Sequence, residues 1–103
     1  MKILEYRRQI DAIDRKILAL LNRRAQLALK IGEEKKKLAL PVENKEREEA
    51  VMINLFAENM GPLDDHDVYE IYQSIIYACR NLQEARRALE AEEAPRSAER
   101  DDF

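Results

Sequence analysis

The sequence predicts an all-α fold of three helices per chain, the first of them very long. Three observations carry this. Charged residues make up 38% and apolar residues 46%, with two glycines and three prolines, which is the balance of long helices rather than sheets. Apolar residues recur at steps of three and four from Ile3 to Leu38, the helical period. No proline interrupts that run before Pro41. At 103 residues the chain suffices for one domain.

The first helix is built on Ile3, Tyr6, Ile10, Ile13, Ile17, Leu20 or Leu21, Leu27, Ile31 and Leu38. Pro41 biases Leu40 away from helical geometry, so the helix is expected to end near Ala39. Gly32 lies inside it at a cost of about 1 kcal/mol relative to alanine, which points to close packing against another backbone or to a local bend. Such a helix has about 34 residues and runs for roughly 50 Å. A compact domain of this size has a radius of gyration of only about 13 Å. The helix must therefore protrude with its apolar stripe intact, and a second copy of the chain is the economical cover.

The segment "LPVEN" leads into a second helix, expected over about Lys45–Met60, with Val51 and Leu55 on its inner stripe beside Met52 and Phe56. Gly61–Pro62 ends it. Asp64 can then cap a third helix, Asp65 and Asp67 suit the positive end of its dipole, and Leu63 with Val68 has hydrophobic-staple spacing. Its stripe is Val68, Ile71, Tyr72, Ile75, Cys79 and Leu82, and it is expected to run to about Glu93. The domain is placed at residues 1–90. Residues 91–103, ending "APRSAERDDF", are expected to be a disordered tail or linker.

Several function classes are excluded by composition. A net charge of −3 offers no basic field for nucleic acid. One cysteine and one histidine supply neither an internal disulfide nor a metal cluster, so no metal or cofactor is expected. No stretch approaches the roughly 20 apolar residues of a membrane span. The N-terminus turns polar within a few residues, unlike a signal peptide, and a cytoplasmic location is expected.

Polar residues interrupt each apolar face. Arg24 falls four after Leu20, Lys35 four after Ile31, and Arg7 three before Ile10. Arg47 and Glu48 lie four and three before Val51, and Gln83 lies four after Cys79. Satisfied ion pairs or snorkelling side chains would account for any one of them. A cluster of cations with too few carboxylates instead needs an external anion, because an unpaired buried charge costs several kcal/mol. A ligand with more than one carboxylate would fit the forked guanidinium groups. No nucleophile–base set or phosphate loop accompanies them, and His66 reads as exposed among aspartates. Such a site suits holding a dianion in one conformation and stabilising developing negative charge.

The stretches "YRRQIDAIDRKILALLNRRAQLALKIGEEKK", "PVENKEREEAV" and "IYQSIIYACRNLQ" together resemble the all-helical chorismate mutase family over roughly Leu4 to Gln83. The resemblance implies an intertwined homodimer of three-helix chains. It also implies the conversion of chorismate to prephenate on the route to phenylalanine and tyrosine, without a cofactor. By motif, Arg24 and Arg47 correspond to the arginines that grip substrate carboxylates, and Arg7 to the arginine that completes the partner chain's site. Lys35 and Gln83 correspond to the pair at the ether oxygen, and Glu48 to the acid that orients the substrate hydroxyl. Asn44 stands where aspartate is frequent and Cys79 where serine or alanine is usual; both are expected at the substrate. Relatives of this scaffold also suggest a regulatory domain that senses chorismate or prephenate, or an isochorismate pyruvate-lyase. A purely structural helical dimer would leave the seam cations unexplained.

Overall fold

The computed structural model describes residues 1–93. They form α1 (Lys2–Lys37), α2 (Lys45–Glu58) and α3 (Asp65–Glu93), with no strand among the described residues. Of the expected tail, residues 91–93 belong to the last turn of α3, and 94–103 lie outside the described residues.

Chain ends and turns explain the helix boundaries. Lys35, Lys36 and Lys37 place positive charge in the last turn of α1, where the helix dipole favours it. The helix stops at Lys37 rather than near Ala39 because Ala39 turns left-handed, with φ +56°. Ala39 N–H then donates to the Lys36 carbonyl (3.1 Å) and Leu40 N–H to the Lys35 carbonyl (2.8 Å). That is the Schellman closure, with alanine where glycine is usual and Pro41 just beyond. A left-handed alanine carries about 1 kcal/mol of strain. Ala39→Gly is therefore expected to stabilise the protein by about 0.5 kcal/mol, after glycine's extra unfolded-chain entropy is subtracted. A melting midpoint raised by a few degrees at fixed protein concentration checks this.

Asn44 opens α2 by accepting the Arg47 N–H on its side-chain oxygen at 3.0 Å. The helix ends at Glu58, short of Met60, because Asn59 leaves helical geometry and ties the next turn. Its amide donates to the Leu63 carbonyl (2.9 Å) and to Asp65 (3.0 Å), and its oxygen accepts the Gly61 N–H (3.0 Å). Gly61 takes a φ of +77°, which glycine adopts without strain. Asp64 caps α3 as expected, accepting the Asp67 N–H at 2.9 Å, and that bond holds its carboxyl below the ordinary value.

The described chain extends 76 × 30 × 16 Å, with a radius of gyration of 19.4 Å. A compact domain of this length would have about 13 Å. Helix α3 packs on both α1 and α2, which do not pack on each other. Among the described residues the buried apolar ones are Ala28 in the C-terminal half of α1, Val42 in the loop, Met52 on α2, and Ile76 and Cys79 on α3. The stripe expected on α3 is therefore split. Ile76 and Cys79 face inward, whereas Ile71 and Leu82 are exposed in the single chain. On α1, Ile3, Tyr6, Ile10, Ile13 and Ile17 are all about half exposed. No helix among the described residues is long and apolar enough to cross a membrane.

Candidate active site

Where the three helices meet, they enclose a cleft of about 290 Å³. Helix α1 lines it with Arg24, Leu27, Ala28, Ile31 and Lys35, a single face at helical spacing. The connection to α2 adds Val42 and Asn44, α2 adds Arg47, Glu48 and Val51, and α3 adds Ile76, Cys79, Arg80 and Gln83. The floor is apolar and the polar groups converge on it, the usual make-up of a small-molecule site. Seven of the eight residues singled out from sequence share this cleft. Arg7 does not. It is exposed near the free end of α1, seventeen residues before Arg24 and so about 25 Å along the axis.

Several of the polar groups are held by a neighbour. Arg24 Nη1 donates to Cys79 Sγ at 3.1 Å, and Lys35 Nζ donates to the Val42 carbonyl at 2.8 Å. The Gln83 amide nitrogen donates to the Ala28 carbonyl, in the middle of α1. Gln83 also packs over Gly32, where a Cβ would sit 3.4 Å from Gln83 Cγ, at the near edge of ordinary van der Waals contact. The close backbone approach expected at Gly32 is not observed among the described residues: its neighbour is a side chain of α3. Behind Gln83, Lys36 Nζ binds Glu90 at 2.8 Å and ties α1 to α3. That bond holds the Glu90 carboxyl below its ordinary value, while Glu90 holds the adjacent Glu33 above its own.

The charges do not balance. Four cations and one carboxylate line the cleft. That carboxylate, Glu48, is taken by Arg80, whose Nη2 lies 2.8 and 2.9 Å from its two oxygens. Arg24, Lys35 and Arg47 form no ion pair among the described residues. Ion pairing among the described residues therefore does not account for these three. Arg80 was not singled out from sequence, since it lies just off the apolar stripe. Its position three before Gln83, on the same side of α3, was the available signal.

Comparison with known proteins matches this arrangement to one family. The family model described as chorismate mutase type II covers residues 6–84. The bifunctional chorismate mutase/prephenate dehydratase of Aquifex aeolicus is 40% identical over 86 residues, which is 80% of this chain but 24% of that protein. The chorismate mutase of Methanocaldococcus jannaschii is 42% identical over 50 residues, 48% of this chain and 50% of that one. The chain thus spans half or less of the length of these relatives. A solved structure of chorismate mutase from Thermus thermophilus superposes with a TM-score of 0.80 at 34% identity, over 82% of this chain and 96% of that one. The matched segment contains every residue of the cleft and all but the last turns of α3, and on this ground the chain belongs to the chorismate mutase type II family.

Proposed function

We propose that the chain converts chorismate to prephenate in phenylalanine and tyrosine biosynthesis, as a cytoplasmic homodimer without a cofactor. One observation carries the reading: Arg24, Lys35 and Arg47 converge on a cleft in which none of them has a carboxylate partner among the described residues. A dicarboxylate substrate supplies the missing charge. Arg24 and Arg47 take its carboxylates, with the partner's Arg7 completing the set, and Asn44 and Cys79 shape the edges. Glu48 receives the substrate hydroxyl. Lys35 and Gln83 reach the ether oxygen.

The rearrangement is unimolecular. One C–O bond breaks as one C–C bond forms, and no proton has to move. The cleft has two tasks, selecting the compact conformer and favouring charge at the ether oxygen. Lys35 and Gln83 suit the second task. Each spends one N–H on a backbone carbonyl, which orients the group, and each retains N–H donors for a ligand. Charge at the ether oxygen grows as the bond breaks, so these donors bind the transition state more tightly than the substrate.

Loss of chorismate absorbance with the purified protein tests the reading, with isochorismate run in parallel. Rapid chorismate loss with prephenate as product is expected. Consumption of isochorismate instead would make the protein a lyase. Binding without turnover, with prephenate held as tightly as a bicyclic transition-state mimic, would make it a sensor.

The half-exposed apolar face of α1 supports the dimer, and the distance of Arg7 from its own cleft is what a site completed by the partner chain would require. Arg7→Ala and Arg47→Ala are each expected to abolish most activity. Co-refolded in equal amounts, they should recover about a quarter of wild-type activity, because half the dimers are mixed and each mixed dimer holds one intact site. No recovery above the sum of the parents would place Arg7 in its own chain's chemistry or outside the site.

A further inference from the structure

The four cations of the cleft divide into two kinds. Among the described residues Arg24, Lys35 and Arg47 have no carboxylate partner, whereas Arg80 has two. Its Nη2 spans both Glu48 oxygens, and its Nη1 lies 3.6 Å from Glu43. The contact with Glu48 joins α3 to the first turn of α2 across 32 residues of sequence, and both side chains are about three-quarters buried. A cation already committed to two carboxylates is poorly placed to bind a third on a ligand.

We infer that Arg80 is a positioning residue that fixes the Glu48 carboxylate at the cleft wall so that it receives the hydroxyl of the substrate. Glutamate has three side-chain torsions, and unrestrained it would have to be ordered each time a ligand arrives. The two hydrogen bonds from Nη2 order it beforehand. They use one lone pair on each oxygen and leave the others as acceptors. Glu43 anchors the far side of the guanidinium, and the Tyr77 ring lies 5.9 Å from its centre. The hydroxyl then meets an acceptor already in place, the preorganisation that restricts binding to ligands able to donate there.

The inference rests on the mutase reading, and the test separates the two. Wild type, Arg80→Met, Arg80→Lys, Glu48→Gln and the Arg80→Met/Glu48→Gln double variant are assayed with chorismate and with its O-methyl ether at the hydroxyl. Far-ultraviolet circular dichroism and thermal melts confirm folding. If wild type turns over neither compound, the mutase reading itself fails. With wild type active on chorismate, Arg80→Met is expected to lower kcat/KM for chorismate by about ten- to hundredfold, the scale of a misplaced orienting group. It should change kcat/KM for the ether by less than about threefold, since the ether cannot donate to Glu48. Arg80→Lys should recover part of the loss. In the Glu48→Gln background, Arg80→Met should have little further effect. Equal losses on both compounds, or an undiminished loss in the Glu48→Gln background, would mean that Arg80 acts on the substrate directly and would overturn the inference. Should Arg80→Met fail to fold, the same comparison is made with Arg80→Lys against Glu48→Gln, and equal effects of Arg80→Lys on the two compounds overturn it as well.

Discussion

Lys35→Ala is expected to reduce kcat with chorismate by roughly thirty- to several-thousandfold, the equivalent of about 2–5 kcal/mol for truncating one partner of a buried charge pair. Lys35 is half-buried beside the loop, and one of its N–H groups is fixed on the Val42 carbonyl at 2.8 Å. The fixed bond keeps the ammonium in the cleft, and in the proposed complex its remaining protons meet the oxygen at which charge develops. That charge is larger in the transition state than in the bound substrate, so the loss should fall on kcat and kcat/KM together. Arg24→Ala should behave differently. In the proposed complex its guanidinium faces a substrate carboxylate that is charged throughout the reaction, so its removal should raise KM and leave kcat much closer to wild type. Steady-state kinetics on both variants, with folding checked by circular dichroism, distinguishes the two patterns. Near-native kcat in a folded Lys35→Ala protein would move the chemistry elsewhere. The Val42 carbonyl loses its partner in this variant, so Lys35→Gln is the control that retains a donor of similar reach.

The helical period and the cap residues made most of the fold legible. Asp64 at the start of α3 and Gly61–Pro62 after α2 are strong local signals because their geometry is decided within a few residues. The end of α1 was read two residues late, since nothing in the sequence marks Ala39 as left-handed; glycine would have. The cleft residues were legible for a related reason. Arg24, Lys35, Arg47, Glu48 and Gln83 break apolar stripes at their own period, and a cation on such a stripe raises a question wherever it occurs. Arg80 and Ile76 were missed because α3 serves α1 and α2 with different faces, and a single stripe cannot describe a helix packed on two neighbours. Pairings such as Arg80 with Glu48 depend on how two helices cross, which spacing along one helix does not encode. Whether a seam cation is paired could be read only from the structure, and the absence of an ion pair for Arg24, Lys35 and Arg47 among the described residues favours the external anion.

Ile13→Asp is expected to abolish assembly and, with it, the fold. Ile13 is 53% exposed in the single chain and Ile10 is 54% exposed. If the chain worked alone, a polar substitution at so open a position would change stability by no more than about 0.5 kcal/mol. The apolar face of α1 argues otherwise. Its large side chains each gain roughly 1–2 kcal/mol when their remaining surface is covered, so covering five of them in each of two chains contributes on the order of 10 kcal/mol. That is as large as the whole stability of a typical domain. The five buried residues of the single chain make a small core by comparison. A two-fold interface repeats every substitution, so Ile13→Asp would place two carboxylates in apolar surroundings, each at a cost of several kcal/mol. Wild type should therefore sediment as a dimer and melt at a temperature that rises with protein concentration. The variant should lose helical circular dichroism at micromolar concentration, and its loss of activity should follow the loss of structure. A 12.1 kDa wild-type species that is helical, melts cooperatively and shows no concentration dependence would refute the dimer. So would an Ile13→Asp protein that sediments and melts like wild type.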